Sequence, residues 1–366
     1  MNITVNSTSL AKALKTAGRV IPAKPAIAVL ECYRIETKGN RMIITASNME
    51  ITVKVPVVIS DNQEDGVCAI PAKKFSEHIS LLPDCDVTLV TKDSTVSISW
   101  AKGKTSMQMM NPQDYPTIKE PDNSQMMDVP AQELLRALSI TIPACAKDDT
   151  RPQLCGVHFD VLEESTRLVA SDARTLTYDT IGCSTGKPCG FTIPTGAASL
   201  LKGSIRKEST IVRLTHDDKN VSFNLGDIII HSRIIVGKYP NYMSIIPDAK
   251  NQSGTAVANR EGLIGTLKRL AACSPNLKMS MTPLSILFTA RNTETGSASE
   301  EDCECNYNGE NMNLGISPQR FLDVLENLTS EQIYLTVTTP TKPIIATSTE
   351  DGQKESLSLF MPVMVQ

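Results

Sequence analysis

This 366-residue chain has few side chains that could act in catalysis or bind a metal, and their spacing does not match that of a known reactive site. Cys303 and Cys305 stand among acidic residues, and two thiols at i and i+2 of a strand point to one face, but no second pair follows at the spacing of a zinc site. The chain has neither a GxSxG nor an HExxH motif. Its four histidines are scattered through strand-like and helix-like segments, at His78, His158, His216 and His231. We therefore expect no catalytic residues, no metal and no cofactor.

The ten cysteines are expected to be reduced thiols of a cytoplasmic protein. The N-terminal stretch MNITVNSTSLAKAL lacks the apolar core of a signal peptide, which would direct the chain to an oxidising compartment. No run approaches the roughly 18 apolar residues of a membrane span. The formal charge of −4 argues only weakly against a nucleic-acid partner, so the positions of the charges matter more.

A threefold repeat organises the elements that position these residues. The segments CAIPAKKF, FTIPTGAA and LGISPQRF align on Ile70, Ile193 and Ile316, which are spaced by 123 residues. Each is a short β-type segment that runs into Pro or Ser-Pro and then into an amphipathic helix; proline is tolerated there because the first-turn N–H has no partner. We expect three tandem domains with an α+β fold, at residues 1–124, 125–250 and 251–366.

The predicted helices carry much of the positive charge of an acidic chain. In the first, residues 8–24, a rotation of 100° per residue places Leu10 and Leu14 on one face and Lys12, Lys15 and Arg19 on the other. Solvated helix faces are commonly charged, but Glu is an equally good helix former and is nearly absent, which favours a surface that faces phosphate groups. Sixteen Lys and Arg but only five Asp and Glu fall on the six predicted helices, residues 8–24, 71–83, 131–147, 194–207, 260–278 and 317–329.

Strand-like runs fill the rest of each repeat and predict antiparallel sheets. Lys38, Gly39 and Asn40 form a hairpin-type turn between two such runs. Two segments rich in Pro, Asp and Asn, residues 111–128 and 238–253, are predicted to be linkers.

These repeats, together with four motifs in order, resemble the bacterial DNA polymerase III beta subunits, the beta sliding clamps. The motifs are RPQLCGVHFDV at 151–161, LVASDARTLTYDT at 168–180, KYPNYMSIIP at 238–247 and the terminal FMPVMVQ at 360–366. The resemblance covers essentially the whole chain. It implies three tandem domains of the DNA clamp fold, each with two helices backed by antiparallel sheets, that close into a ring as a head-to-tail homodimer.

The resemblance also implies a function as a processivity factor in DNA replication. A ring of this kind encircles double-stranded DNA and tethers the replicative polymerase, and it catalyses no reaction. The implied partners are duplex DNA, a second copy of the chain, the clamp loader, the polymerase and other proteins that carry short hydrophobic clamp-binding motifs, with no membrane.

The candidate DNA contacts combine basic residues of the predicted helices with positions matched to the family. The basic residues are Lys12, Lys15, Arg19, Arg136, Lys202, Arg206 and Lys207, and the resemblance adds Lys24, Lys147 and Thr150. The resemblance further implies a dimer interface formed by Met107 and Met109 of the first domain against Leu270, Ala272 and Cys273 of the third. For the two methionines, an ordinary core position is the alternative.

The family's pocket for partner peptides is carried over onto four segments of this chain. Leu176 and Met364 are expected to form its floor, with Pro240 and Ile245 as walls. This chain has Asp-Ala-Arg-Thr-Leu where the family usually has Asp-Gly-His-Arg-Leu, so we expect Arg174 to favour acidic partner residues. The alternative is a strand and a tail packed inside a junction between domains. The full set is Leu154, Ser171, Ala173, Arg174, Thr175, Leu176, Pro240, Ile245, Met361, Pro362, Val363 and Met364.

Two other classes of protein are compatible with this composition. A hydrolase or transferase with a site at a domain junction would lose turnover when one Asp or His was mutated. A three-domain β-rich scaffold or adhesion protein would show neither the basic helices nor a retention on DNA that depends on DNA topology.

Overall fold

A computed structural model describes residues 1–116, 119–121, 125–148, 150–247, 254–292, 296–349 and 356–364. The chain folds into two compact units, and each sheet lies inside one of them. The first unit comprises Met1–Gln132 and Ser199–Ile234, and the second comprises Glu133–Ala198 and Ile235–Gln366. Among the described helices, none combines the length and the apolar character that a membrane span needs.

The described residues form six α-helices and 25 strands. The helices are α1 (Ser7–Ala17), α2 (Ala72–Ser80), α3 (Ala131–Thr141), α4 (Thr195–Lys202), α5 (Arg260–Ala271) and α6 (Pro318–Asn327). The strands are β1 (Asn2–Asn6), β2 (Cys32–Lys38), β3 (Arg41–Ser47), β4 (Ile51–Val58), β5 (Asp61–Glu64), β6 (Gly66–Pro71), β7 (Asp86–Lys92), β8 (Thr95–Trp100), β9 (Gly103–Gln108), β10 (Gln125–Pro130), β11 (Gly156–Val161), β12 (Thr166–Ser171), β13 (Thr175–Ile181), β14 (Cys189–Pro194), β15 (Ile211–His216), β16 (Asn220–Asn224), β17 (Ile229–Arg233), β18 (Gly254–Asn259), β19 (Leu277–Met281), β20 (Ser285–Asn292), β21 (Ser297–Tyr307), β22 (Met312–Ile316), β23 (Gln332–Val337), β24 (Ile344–Thr347) and β25 (Ser356–Phe360).

Antiparallel pairing builds three sheets from these strands. The first unit holds a five-stranded sheet with the order β5-β1-β7-β8-β9 and an eight-stranded sheet with the order β10-β15-β16-β17-β4-β3-β2-β6. The second unit holds one twelve-stranded sheet with the order β14-β11-β12-β13-β25-β24-β23-β18-β21-β20-β19-β22. The antiparallel sheets predicted from the sequence are confirmed, as is the hairpin at Gly39, whose φ of 57° suits glycine.

The threefold repeat appears as the same local structure three times. In each repeat a strand runs directly into each helix: β1, β10 and β18 precede α1, α3 and α5, while β6, β14 and β22 precede α2, α4 and α6. The equivalent residues Ile70, Ile193 and Ile316 are all fully buried in the strand before the helix. All six helices predicted from the sequence are therefore confirmed.

The apolar stripe of each helix supplies the core beneath the sheets. In α1, Leu10 and Leu14 are buried and Lys12 and Lys15 are exposed, as the periodicity predicts. The side chain of Asn6 accepts a hydrogen bond from the Ser9 N–H (3.0 Å) and so fixes where this helix begins. In the second unit, α5 packs against α6 over a core that includes the fully buried residues Phe288, Phe321 and Phe360.

The helices end earlier than predicted, and in the first and third a proline supplies the physical reason. The first was expected to reach residue 24 but ends at Ala17, followed by a 3₁₀ turn, Gly18–Val20. Pro22 disfavours helical geometry at Ile21, which is extended with φ −60° and ψ 119°. The third helix likewise ends at Thr141, before a 3₁₀ turn that contains Pro143.

The two predicted linkers are partly wrong. Residues 125–128 belong to β10, which pairs with β15, because Met127 and Val129 alternate into the core. In the second segment, Tyr239 and Tyr242 are buried in a cluster around Leu176. Within these segments, residues 117–118, 122–124 and 248–253 lie outside the described residues.

Candidate functional site

The turn between β12 and β13 is held by its own side chains. The carboxylate of Asp172 accepts hydrogen bonds from the backbone N–H groups of Arg174 (2.8 Å) and Thr175 (2.5 Å). The hydroxyl of Ser171 donates to the carbonyl of Thr175 (2.7 Å) and accepts from the Ala173 N–H (3.1 Å). Ala173 takes a φ of 70°, in the left-handed region that favours glycine. Four candidate residues, Ser171, Ala173, Arg174 and Thr175, are thereby fixed in one conformation.

The C-terminal segment runs beside this turn. In the pairing of β13 with β25, Thr175 lies opposite Phe360, and the Met361 N–H donates to the carbonyl of Arg174 (2.8 Å). The Val363 N–H then donates to the carbonyl of Gly315 at the end of β22 (2.9 Å). Two motifs that lie far apart in the sequence are thus brought together at one place in the second unit.

Three of the carried-over residues lie beneath the surface of this site. Leu154 and Leu176 are buried in one apolar cluster with Leu359, and Ser171 is buried as well. Leu176 is only 1% exposed and packs in this cluster, and its predicted place in the floor of the partner pocket stays a prediction. Its contribution is to support the residues above it.

Two cavities flank the C-terminal segment. The larger, of about 710 Å³, is lined by Arg174, Thr175 and Val363, together with Lys147 and residues of α6. The smaller, of about 450 Å³, is lined by Ser244, Ile245, Ile246, Pro247, Thr338, Thr341, Lys342, Pro343 and Met361. The predicted pocket residues therefore divide between a polar cavity and an apolar one.

Met364 does not form the floor of either cavity. Its side chain is 97% exposed, whereas Val363 lines the larger cavity, and the place of Met364 in the floor of the partner pocket stays a prediction. Met364 is exposed because the bridge from Val363 to Gly315 is the last backbone pairing in the described tail. Pro240 and Ala173 are exposed, while Pro362 is half-buried, and none of these lines either of the two cavities. Val365 and Gln366 lie outside the described residues.

Helix α6 contributes residues that sequence reasoning missed. Arg320, Asp323 and Asn327 line the larger cavity from one face of this helix. Their spacing of i, i+3 and i+7, with Phe321 and Leu325 buried on the other face, was the available signal.

The candidate DNA contacts fall into two groups by their ion pairing. Lys12 and Lys15 are exposed, and no acidic group within the described part of the chain pairs with them. Arg19 is exposed but donates to the carbonyl of Gly203 (2.9 Å). Lys24, Lys147, Thr150 and Lys207 are exposed, and Lys202 is half-buried.

Arg136 and Arg206, by contrast, are held by acidic partners. Arg136 Nε lies 2.9 Å from a carboxylate oxygen of Asp179, and its second nitrogen donates to the carbonyl of Thr180. Burial raises the pKa of Asp179, and the adjacent guanidinium opposes that shift. Arg206 pairs with Asp227 at 2.7 Å. The charge of Arg136 therefore compensates the buried carboxylate of Asp179, which argues against a role of Arg136 in binding DNA.

The helical charge bias is smaller than predicted and is unevenly distributed. Because the helices are shorter, the observed ones hold ten Lys and Arg against five Asp and Glu. On α5, Arg260 pairs with Glu261, Lys268 with Glu326 and Arg269 with Glu301. The cations without an acidic partner in the described residues lie mainly on α1 and α2, at Lys12, Lys15, Lys73 and Lys74.

The predicted dimer residues lie near two sheet edges. Met107 is half-buried on β9, the edge strand of the five-stranded sheet, and Met109 follows it. Ala272 is exposed and Cys273 half-buried after the end of α5. Leu270 is only 1% exposed because it packs into the core beneath α5, so its predicted place on the surface is wrong.

All ten cysteines are free, and among the described residues no three His, Cys, Asp or Glu side chains are placed to share a metal ion. The second unit offers a turn, a tail and two cavities, and the first unit offers exposed lysines on α1 and α2.

Comparison with known proteins identifies the class. Three family models match in order: the N-terminal, central and C-terminal domains of the DNA polymerase III beta subunit, at residues 1–119, 128–241 and 243–363. The beta sliding clamp of Haemophilus influenzae is 24% identical over 367 residues, covering 99% of this chain and 100% of the relative. That of Caulobacter vibrioides is 24% identical over 365 residues, covering 96% and 97%.

Solved structures agree in fold along the whole length. A DnaN sliding clamp from Pseudomonas aeruginosa bound to griselimycin superposes with a TM-score of 0.94 at 21% identity, and a sliding clamp from Bacillus subtilis with 0.93 at 20%; each covers 100% of both chains. Fold and site together define a three-domain protein of the DNA clamp fold. The chain belongs to the DNA polymerase III beta subunit family, the bacterial beta sliding clamps, which confirms the resemblance seen in the sequence.

Proposed function

We propose that this protein is a DNA sliding clamp, in which two copies close head to tail into a ring around duplex DNA and tether the replicative polymerase and other DNA-processing proteins. The observation that carries the proposal is the run of three family matches, which leaves only residues 120–127, 242 and 364–366 unmatched. The protein works in the cytoplasm, where the bacterial chromosome lies, and it acts through topology without catalysing a reaction. The scaffold alternative is not favoured, because the relatives named here are sliding clamps.

Contacts to DNA are made by unpaired lysines and carry no sequence information. Lys12 and Lys15 on α1, with Lys24 beyond it, present ammonium groups that exchange one phosphate for the next at little cost. Weak, equivalent contacts allow the ring to slide, while closure of the ring prevents escape.

The head-to-tail interface forms between two open sheet edges. The strand β9 pairs only with β8, and residues 297–304 of β21 pair only with β20, in the described part of the chain. The first edge carries Lys104, whereas the second exposes Glu300, Asp302 and Glu304. Opposite charge on two different edges favours a heterologous contact, and such contacts close into a ring or continue into a filament. Pairing in the ring also covers edges that would otherwise promote aggregation.

Retention on circular DNA tests the proposal. The protein is loaded onto nicked circular plasmid with a bacterial clamp loader and ATP, and is separated from free protein at moderate salt. We expect it to stay on the circle and to leave when a restriction enzyme linearises the DNA. Equal retention on circular and linear DNA would contradict a topological link. Light scattering should give a dimer of about twice 39.7 kDa, and a monomer at micromolar concentration would contradict ring closure.

A further inference from the structure

The larger cavity contains cations without partners. Lys147, Arg174 and Arg320 line it, and none of the three side chains makes an ion pair or a hydrogen bond with any residue that the structure describes. Each guanidinium presents five N–H donors in a planar fork that fits a carboxylate. The cavity is therefore rich in unused donors.

The carboxylates in the same cavity do not satisfy these donors. Asp172 accepts from two backbone N–H groups of its own turn, and Asp323 accepts from the Gln319 side chain (2.9 Å). Asp148 accepts from the N–H of Thr150 (2.8 Å). The formal charges of the lining residues balance, but the acidic groups are engaged locally and the basic ones are not.

The N-terminus of α6 opens onto the same cavity. The helix begins at Pro318 after Ser317, whose side chain makes no capping hydrogen bond, and both Ser317 and Gln319 line the cavity. In α1 and α5 an asparagine side chain caps this position, at Asn6 and Asn259. The free N–H groups of the first turn of this ten-residue helix carry partial positive charge and attract an anion.

The smaller, apolar cavity is lined by a residue only two positions before the one that lines the larger cavity. Met361 lines the smaller cavity and Val363 the larger one, and two residues of extended chain span roughly 7 Å. Ile245 and Pro343 complete an apolar lining beside Met361. The occupant must therefore carry a hydrophobic group and an anionic group a few residues apart, which describes a peptide better than a nucleic acid.

We infer that the partner segments of this clamp carry an aspartate or glutamate whose carboxylate binds between Arg174 and Arg320 at the N-terminus of α6, two to four residues from a hydrophobic side chain held in the smaller cavity. The inference rests on the proposed function and specifies the chemistry of its partners. The carboxylate supplies the acceptors that the cavity lacks, and the apolar anchor supplies most of the buried area.

Fluorescence polarisation with designed peptides tests this. The probes are labelled nonapeptides of Gly and Ser with Leu-Leu at positions 7 and 8 and with Asp, Asn or Lys at position 4. We expect Asp to bind about tenfold more tightly than Asn, and Lys to bind most weakly. The variant Arg320→Gln should remove most of the preference for Asp. Arg41→Gln, which removes an exposed guanidinium from β3 outside both cavities, is the matched control and should preserve the preference.

Affinities for Asp and Asn peptides within twofold of each other, or no peptide binding at millimolar concentration, would overturn the inference. If a DNA oligonucleotide displaces the Asp peptide and Arg320→Gln weakens retention on circles, the cavity binds phosphate and the inference is wrong. Retention of the wild-type protein on circular DNA separates the two levels. If the protein is retained on circular DNA but shows no preference for Asp peptides, only the proposed carboxylate site is wrong. If it is not retained on circular DNA either, the proposed clamp function is wrong.

Discussion

Ala173 and Met49 occupy the same strained position in two repeats. Both have a positive φ, 70° and 76°, in a turn where the preceding Asp172 or Asn48 accepts hydrogen bonds from the next two N–H groups. A left-handed conformation costs a residue with a Cβ atom roughly 1–2 kcal/mol. Glycine avoids this cost but loses more conformational entropy on folding, so a substitution by glycine gains only part of it. We expect Ala173→Gly to raise the free energy of unfolding by about 0.5 kcal/mol, as measured by urea denaturation.

The matched control is Met49→Gly in the first unit. It relieves the same strain but removes a larger side chain that is only 38% exposed, so we expect a smaller gain or none. Neither Ala173 nor Met49 lines one of the two cavities. A destabilised Ala173→Gly protein would show that the turn does not impose the strain.

Single residues mark the limit of what the sequence can predict here. The exposure of Lys12 could be predicted from helical periodicity, because it depends only on the positions of apolar residues in the same helix. The ion pair of Arg136 on α3 could not, since Asp179 lies 43 residues away on strand β13. The burial of Leu176 and the exposure of Met364 have a similar cause: a motif indicates a pocket, but strand register decides which residues are buried and which line the cavities.

At the scale of elements, the six helices could be predicted and their ends could not. The period of apolar residues and the repeated Pro positions were local signals, whereas the ends depend on where the chain must turn into the next strand. The partners of the helix cations were also beyond the sequence. The surface that faces DNA was expected on all helices, but the ion pairs of α5 leave the unpaired lysines mainly on α1 and α2.

That distribution predicts an unequal effect of neutralising lysines on different helices. The double variant Lys12→Gln with Lys15→Gln removes four cations from a dimeric ring. We expect it to leave nicked circles faster than the wild type does, and we expect its rate of loss to depend less on the salt concentration. The exposed sites should leave the free energy of unfolding within about 0.5 kcal/mol of the wild type. Lys268→Gln with Glu326→Gln removes a paired cation from α5 and should leave retention unchanged. Equal losses from both double variants would contradict the assignment to α1.

At the scale of the whole molecule, the charges of the two open edges predict how the ring responds to salt. Lys104 on β9 and Asp302 on β21 are exposed on the edges that we propose to meet. Charge pairs at such an edge are screened within about 8–10 Å at moderate ionic strength. We expect the dissociation constant of the dimer to increase as salt rises, so that the dimer dissociates at a higher protein concentration, as measured by sedimentation. Lys104→Glu should weaken it further, and adding Asp302→Lys should restore part of the affinity. Dissociation independent of salt and of Lys104→Glu would rule out this interface.

Acid should destabilise the folded protein through its buried histidines. Burial lowers the pKa of His231 to about 4, with Lys54 acting in the same direction, and burial likewise lowers the pKa of His158, stacked on Tyr239 at 4.4 Å, to about 4. The ordinary pKa of histidine is 6.5. Between these values the unfolded chain binds more protons than the folded one, so the stability contributed by neutral histidine is present above pH 6.5 and is lost as pH falls toward 4.

Each histidine can contribute a slope of up to about 1.4 kcal/mol per pH unit in this window. We expect the free energy of unfolding of the wild type to fall steeply between pH 6.5 and 4.5, and to fall less steeply in His231→Gln and His158→Gln. Comparison at each pH cancels the carboxylates, which titrate alike in both proteins. His231 and His158 lie in different units, so the slope changes of the two variants should add in the double variant. Parallel pH profiles for wild type and variants would mean that these imidazoles are already charged in the fold, and that burial does not govern their titration.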